Sequence, residues 1–244
     1  MKIDGMHWKT IWLEEKDKTI KVIDQTKLPH EFIIRSLKNV NEVADAITSM
    51  VVRGAPLIGV TAAYGIMLSM QEDPSDSSLE NSIKTLSKTR PTAINLYWSL
   101  QRVYKRIRDL NPSKRAIAAR DEAQTISEED ISCCNSIGTY GLTLLKDLEK
   151  NNSSIDECKT LNILTHCNAG WLATVDWGTA LAPIYKANQE GLKLHVWVSE
   201  TRPRNQGFNL TAFELDGEKI PYTLIVDNAV GYLMKIGLVD CIIV

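Results

Sequence analysis

Cys167 stands in the run Leu161-Asn162-Ile163-Leu164-Thr165-His166-Cys167-Asn168-Ala169-Gly170, an apolar stretch that turns polar and then meets a glycine. A buried strand here would deliver the thiol to its carboxyl end, just ahead of a glycine turn and a helix. Backbone N–H dipoles at such a place favour a thiolate, the form that attacks carbon or moves protons. A cysteine in an apolar run is also, more simply, a small buried side chain. The strand-end position and the polar flank point to chemistry. His166 is the weaker candidate, because adjacent strand residues face opposite sides of a sheet.

Arg53-Gly54-Ala55-Pro56 places a guanidinium and a permissive glycine at a predicted helix start. Free N–H groups, the positive end of the helix dipole and an arginine together make an anion site. An ordinary proline-started helix with a solvated arginine reads the same way, and both readings stand at this point. Arg90-Pro91-Thr92 repeats the arrangement, which favours a phosphate subsite. A third polar cluster, Ser199-Glu200-Thr201-Arg202-Pro203-Arg204-Asn205-Gln206-Gly207, directly follows the apolar Val196-Trp197-Val198. Beside Gly207, Gln206 can approach a ligand hydroxyl. Asp227 and Asn228 end the next apolar run. Asn228 reads as a helix cap, and Asp227 as either a cap or a substrate contact.

These residues need elements to hold them. Thr10–Leu13 and Thr19–Ile23 read as a hairpin around the charged turn Glu14–Lys18. Asn41 reads as the cap of a short helix to Met50, with Val43, Ala46, Ile47 and Met50 on one face. Further helices are expected from Gly54-Ala55-Pro56 through Met67, up to Lys88, from Pro91 to Leu110, from Lys114 to Ile126, and from Glu128 to Lys150. Small residues Gly59, Ala62, Ala63 and Gly65 allow the second of these helices to pack closely.

The polar stretch Lys150–Ser154 reads as a linker, dividing the chain into 1–150 and 151–244. Beyond it, apolar runs Leu161–Thr165, Leu194–Val198, Thr223–Val226 and Asp240–Val244 alternate with helical stretches Val175–Asn188, Thr211–Leu215 and Asn228–Lys235. Regular alternation indicates a parallel sheet with helices on its faces. The runs lack clean polar alternation, as strands covered on both faces do. The fold expected is α/β: a small β element and a helical domain, then a Rossmann-like parallel sheet. Because the last strand is followed by no loop or covering helix, this order predicts a truncated or split protein.

Bulk properties exclude some functions. The 244 residues are 44% hydrophobic and 24% charged with a net charge of −2, enough for a sizeable core. That charge balance argues against a sequence-independent nucleic-acid binder, which would carry a basic face. Neither G-x-G-x-x-G after a strand nor G-x-x-x-x-G-K-[ST] occurs, which disfavours nucleotide cofactors, and no H-x-x-x-H or paired-cysteine motif offers a metal site. Of the five cysteines (Cys133, Cys134, Cys158, Cys167, Cys241), four read as idle thiols in a reducing compartment. No secretory leader or membrane span is expected, so the chain reads as cytoplasmic. The N-x-S/T triplets at Asn151, Asn152 and Asn209 then read as chance matches.

Four segments, Val52-Arg53-Gly54-Ala55-Pro56-Leu57-Ile58-Gly59, Arg90-Pro91-Thr92-Ala93-Ile94-Asn95-Leu96, Thr165–Gly170 and Glu200–Gly207, resemble in order the signatures of methylthioribose-1-phosphate isomerases. The wider superfamily includes ribose-1,5-bisphosphate isomerases and regulatory subunits of translation initiation factor 2B. Asn168-Ala169-Gly170 and the intact Arg90-Pro91-Thr92-Ala93 favour the methylthioribose enzyme. The resemblance implies a cofactor-free, usually dimeric enzyme of methionine salvage. It would convert 5-methylthioribose 1-phosphate to 5-methylthioribulose 1-phosphate. It implies Cys167 as the catalytic cysteine and Arg53, Gly54, Ala55, Arg90 and Gln206 as substrate-binding positions. In that family a Gly-Ala-Asp-Arg segment carrying a general acid/base aspartate, and a later Asn-Lys pair, lie beyond the position of Val244. The expectation is therefore a fragment, weakly active or inactive alone. The alternative is an inactive remnant or a regulatory binding module of the factor 2B type.

Overall fold

The computed structural model describes residues 1–3, 5–16, 18–152 and 160–244. Asp17 of the expected turn, Ser153 and Ser154 of the expected linker, and Cys158 lie outside the described residues. The chain separates into two compact units, Thr10–Ile131 and Met1–Lys9 with Ser132–Val244. The second unit begins with a two-stranded antiparallel ladder, β1 (Lys2–Ile3) and β2 (Met6–His7), which is too short to be read from sequence pattern.

The unit Thr10–Ile131 opens on the expected hairpin, β3 (Ile11–Glu14) paired antiparallel with β4 (Thr19–Ile23). A third strand, β5 (Ile34–Leu37), was not anticipated and pairs with β4. Helix α1 spans Val40–Thr48, and its cap is Asn39 rather than Asn41. The Asn39 side chain accepts from Glu42 N at 3.0 Å, while the Glu42 carboxylate accepts from Lys38 N at 2.7 Å. This reciprocal arrangement satisfies two amides, resembles a capping box and moves the helix start two residues earlier.

Helix α2 (Ala55–Glu72) is apolar around its whole circumference, and every residue from Leu57 to Met70 is buried. Such a helix must be surrounded by others. Around it lie α1, α3 (Asp76–Ser87) and α4 (Ile94–Ile107). A Cβ on Gly59 would meet Ser99 Oγ at 2.7 Å and Asn95 O at 2.9 Å, both on α4. On Gly65 it would meet Val43 Cγ1 of α1 at 2.9 Å and Leu86 Cδ1 of α3 at 3.1 Å. The small residues of α2 set how closely its neighbours approach.

Two helices differ from the sequence expectation. Pro91 does not open α4: Arg90–Ala93 forms a turn in which Ala93 N donates to Arg90 O at 2.9 Å, and the helix begins at Ile94. The two helices expected over Lys114–Lys150 are one, α5 (Pro112–Asn152), of 41 residues. Only Ser127 separates the two apolar patterns, and serine does not break a helix. It is buried there, hydrogen-bonded with Tyr64 of α2. The start of α5 is held by the buried Arg115 guanidinium, which donates to Leu110 O, Pro74 O and Arg108 O at 3.2, 3.0 and 2.7 Å and pairs with Asp76 at 2.6 Å. Farther along, Arg102 of α4 donates to Glu122 at 2.6 Å and forks onto Glu129.

The other unit contains a four-stranded, all-parallel sheet. Its strands are β6 (Leu161–Thr165), β7 (Leu194–Ser199), β8 (Tyr222–Ile225) and β9 (Cys241–Ile242), in the spatial order β8-β7-β6-β9. The four apolar runs are thus the four strands. Between them lie α6 (Ala182–Gln189), α7 (Ala212–Gly217) and α8 (Val230–Lys235). The central β6 and β7 are largely buried, whereas β8 and β9 at the edges are half-exposed. Helix α6 begins at Ala182 and not Val175, because residues 166–181 form a loop with one 3₁₀ turn at Trp171–Ala173. The helix expected over Thr211–Leu215 is α7, and a π-helical turn, Gly207–Thr211, leads into it. Asn228 caps nothing: it lies inside the 3₁₀ turn Asp227–Ala229, which has no side-chain cap. Among the described residues no helix is long and apolar enough to cross a membrane.

Gly59→Ala is expected to destabilise the helical unit. The added methyl meets a backbone carbonyl that cannot rotate away, a cost of about 1–3 kcal/mol for overpacking. Against it stands only ~1 kcal/mol of improved helix propensity. Urea titration should show a lower midpoint with an unchanged slope.

Candidate active site

Numbered along the chain, the sheet order is third, second, first, fourth. The order therefore reverses between β6 and β9, and the crevice outside the carboxyl ends of these two strands is where open parallel sheets bind ligands. Cys167 lies two residues past the end of β6, at this switch point. Its backbone is left-handed, with φ 63°. A non-glycine residue adopts that conformation only when its surroundings impose it.

Two threonines impose it. Cys167 N donates to Thr201 Oγ1 at 2.8 Å, and Thr211 Oγ1 donates to Cys167 O at 2.6 Å. Both threonines flank Gln206, so the segment Thr201–Thr211 that carries the glutamine also fixes the cysteine backbone. No helix starts directly after Cys167, contrary to the sequence expectation; the thiol sits in the 166–181 loop and is half-buried.

The loop is anchored from below by a carboxyl group that sequence reasoning missed. Glu214 of α7 is 1% exposed. Its Oε1 accepts from Leu172 N at 2.9 Å and Asn168 Nδ2 at 3.1 Å, and its Oε2 accepts from Tyr185 OH at 2.5 Å. Asn168 Nδ2 also donates to Thr211 Oγ1 at 3.2 Å. A Cβ on Gly170 would lie 1.5 Å from Glu214 Oε2, so only glycine admits this carboxyl group. A Cβ on Gly178, with φ +79°, would lie 2.3 Å from the Gly170 carbonyl carbon. The polar and glycine positions after Cys167 are thus explained by one buried acid. Its sequence signal is slight: a lone glutamate on the buried helix face with Leu210, Thr211 and Leu215.

Asp227 holds the neighbouring loop. It accepts from Ser199 Oγ, from Thr201 N at 2.8 Å and from Arg202 N at 2.8 Å. Hydrogen bonding from Ser199, and then from the Arg202 amide, holds its carboxyl below the usual carboxylate range. Of the two roles left open for Asp227, the geometry shows neither a helix cap nor a group free of protein donors. A Cβ on Gly207 would lie 1.8 Å from Ser199 O, so this glycine lets the loop fold back onto the end of β7 beside Gln206.

Arg53, Gly54, Ala55 and Arg90 belong to the other unit, Thr10–Ile131. Gly54 is the N-cap of α2 with φ 92°, a conformation glycine adopts freely, and no side chain caps the helix. Arg53 is buried, Gly54 half-buried and Ala55 exposed, so the first turn of α2 is open at Ala55. Arg90 is half-buried in the turn before α4. Among the other described cysteines, Cys134 is buried and Cys133 exposed, and burial pushes the Cys241 thiol up to about 11. No three His, Cys, Asp or Glu side chains among the described residues are grouped to hold a metal ion.

A model of the initiation factor 2 subunit family matches residues 51–244, a span that includes Arg53, the cysteine loop and the whole parallel sheet. The chain belongs to this family. Among its relatives, the methylthioribose-1-phosphate isomerase of Methylocella silvestris is 52% identical over 244 residues, covering 100% of this chain and 66% of the relative. That of Rhodospirillum rubrum is 51% identical over 245 residues, covering 100% and 63%. The chain thus spans slightly less than two thirds of the length of these relatives. In structure it is similar to 5-methylthioribose 1-phosphate isomerase from Pyrococcus horikoshii (TM-score 0.83, 34% identity, 97% of this chain and 65% of that one). It is also similar to translation initiation factor eIF-2B subunit delta from A. fulgidus (TM-score 0.80, 36% identity, 97% and 67%). Both neighbours place the α/β architecture within the family's fold.

Two outcomes follow from the buried acid. Gly170→Ala cannot be accommodated without expelling Glu214 and is expected to cost more than the ~1–3 kcal/mol of ordinary overpacking, read by denaturant titration. Tyr185 is fully buried, and burial first and Glu214 second push its hydroxyl well above the ordinary tyrosine value. The fold favours the protonated form, so its contribution is complete below about pH 10 and is lost as pH rises toward the elevated folded value. Tyr64, raised by burial to about 12, acts in the same sense. Stability should therefore fall above about pH 10. Tyr185→Phe should flatten that fall while costing ~1–3 kcal/mol at neutral pH, because a buried acceptor loses its donor.

Proposed function

We propose that this chain carries the cysteine half of an isomerase site that converts 5-methylthioribose 1-phosphate to 5-methylthioribulose 1-phosphate in methionine salvage. The observation that carries the reading is Cys167, held left-handed at the sheet's switch point by Thr201 and Thr211 over the Glu214 anchor. The names and the 51–52% identity of the relatives support the substrate class. In this reading Cys167 acts at the reacting carbons. Arg53 with Gly54 and Ala55 at the α2 N-terminus, and Arg90, bind the phosphate through N–H dipoles and guanidinium groups. Gln206 takes a sugar hydroxyl.

A sugar with phosphate on its anomeric carbon does not open its ring freely, so the site must supply a proton at the ring oxygen as well as act on the carbon. We infer that an aspartate in the portion of the relatives this chain does not match supplies this general acid/base step. Loss of such a group lowers rate about 10²- to 10⁴-fold. The same reading carries a cofactor-free reaction, a homodimer and a cytoplasmic location. It also carries the division of the chain into an N-terminal domain, 1–150, and a Rossmann-like domain, 151–244. The second reading, a regulatory binding module, draws on the 36% identity to the eIF-2B subunit delta structure.

Turnover of 5-methylthioribose 1-phosphate should be measured with this chain alone and with the remaining segment of an isomerase relative added. We expect weak or no turnover alone and restoration on addition, abolished by Cys167→Ser. A folded sample that turns over in neither condition sinks the isomerase reading and favours the binding module.

A further inference from the structure

The mechanism above makes no use of His166, yet the structure ties it into the same network. His166 is exposed immediately past β6, and its Nδ1 lies 3.0 Å from Ser199 Oγ. Ser199 is fully buried at the end of β7 and hydrogen-bonds Asp227. Because β6 ends at Thr165 and Cys167 has turned left-handed, the alternation of strand side chains no longer separates His166 from the cysteine.

Proton counting along this chain of groups decides the tautomer. An ionised carboxylate only accepts, so the single Ser199 proton goes to Asp227. The Asp227 carboxyl is held ionised at neutral pH by Ser199 and the Arg202 and Thr201 amides. The Ser199 oxygen then has only lone pairs to offer His166, and the neutral imidazole must carry its hydrogen on Nδ1. This leaves Nε2 with a lone pair as its only polar function. The same Asp227 oxygen that accepts from Ser199 also accepts from Thr201 N, and the Thr201 hydroxyl accepts from Cys167 N. One carboxylate thus orients the imidazole and steadies the cysteine backbone.

We propose that His166 is a further substrate-contacting residue, whose ring, oriented with Nδ1–H toward Ser199 and through it Asp227, accepts a hydrogen bond from a sugar hydroxyl at Nε2. The proposal deepens the isomerase reading and rests on it. A cis-diol sugar phosphate presents hydroxyl donors, and Gln206 and His166 then provide an amide and a ring acceptor at the carboxyl ends of adjacent strands. Ser199 and Asp227 act only through His166 and Thr201, as positioning residues.

The test is long-range ¹H–¹⁵N NMR of the ¹⁵N-histidine-labelled chain, which distinguishes the two ring tautomers, with His166 assigned by its loss in His166→Phe. We expect Nδ1–H at His166, reverting to a mixture in Ser199→Ala. Titration with 5-methylthioribose 1-phosphate is expected to shift the His166 Nε2 signal. His166→Phe should weaken binding about 3- to 10-fold, the range for one lost hydrogen bond. An Nε2–H tautomer in the unaltered chain overturns the proposal. So does a ligand that shifts backbone signals around Arg53 or Cys167 and leaves His166 Nε2 unmoved. A ligand that shifts no signal at all overturns the sugar-phosphate reading together with the contact, whatever the tautomer.

Discussion

The carboxyl group of Glu214 is the constraint on which the cysteine site depends. A buried acid must have its oxygens satisfied, and leaving one unpaired costs more than any single hydrogen bond returns. Here the donors are the Tyr185 hydroxyl, the Leu172 amide and the Asn168 side chain. They come from α6 and from the loop after β6, so satisfying the acid fixes the course of that loop. Gly170 follows from steric necessity, since any Cβ would sit on the carboxyl group. Gly178 follows in turn, because it packs on the backbone of Gly170. The left-handed turn at Cys167, at the start of the same loop, is held by Thr201 and Thr211.

A second carboxylate, Asp227, does for the β7–α7 loop what Glu214 does for the β6–α6 loop. The two differ in setting: Glu214 is sealed in the core, whereas Asp227 is half-exposed at the carboxyl end of the sheet. The first is structural by position. The second is bonded to groups next to the candidate thiol and can influence chemistry there. Thr201 and Thr211 connect the two loops, each using its hydroxyl on the Cys167 backbone. A site built from side-chain bonds between consecutive strand-end loops lets a parallel sheet place reactive groups with little help from regular secondary structure.

The helical unit solves a different problem. Its central helix, α2, is buried along fourteen consecutive residues from Leu57 to Met70 and contributes almost no polar face. Its neighbours are therefore positioned by shape, through Gly59 and Gly65, more than by hydrogen bonds. Its polar character is confined to its two ends, with Arg53 and Gly54 before the first turn and the exposed Gln71 and Glu72 at the last. A helix otherwise sheathed in apolar contacts has one place for an anion, its first turn.

Much of this was legible from residue order. Apolar runs bounded by turn residues marked all four parallel strands, most clearly the central β6 and β7, which are covered on both faces. Pro56 and Gly54 marked the start of α2, and the change from apolar to polar residues before Cys167 marked the end of β6. Short-range pattern reading failed where long-range partners decide. Asn39 rather than Asn41 caps α1 because Glu42 closes the reciprocal bond. The helix α5 runs through Ser127 because burial against Tyr64 supplies what a solvated serine would take from its own backbone. Chain order alone determined that an apolar strand ends at a polar Cys-Asn-Ala-Gly turn. Only the tertiary structure decided that this strand lies at the switch point, that Glu214 anchors its loop and that Asp227 bonds Ser199 and Thr201, the partners of His166 and Cys167. These contacts join residues 25 or more positions apart, and no local pattern encodes which distant donor a buried acceptor will find.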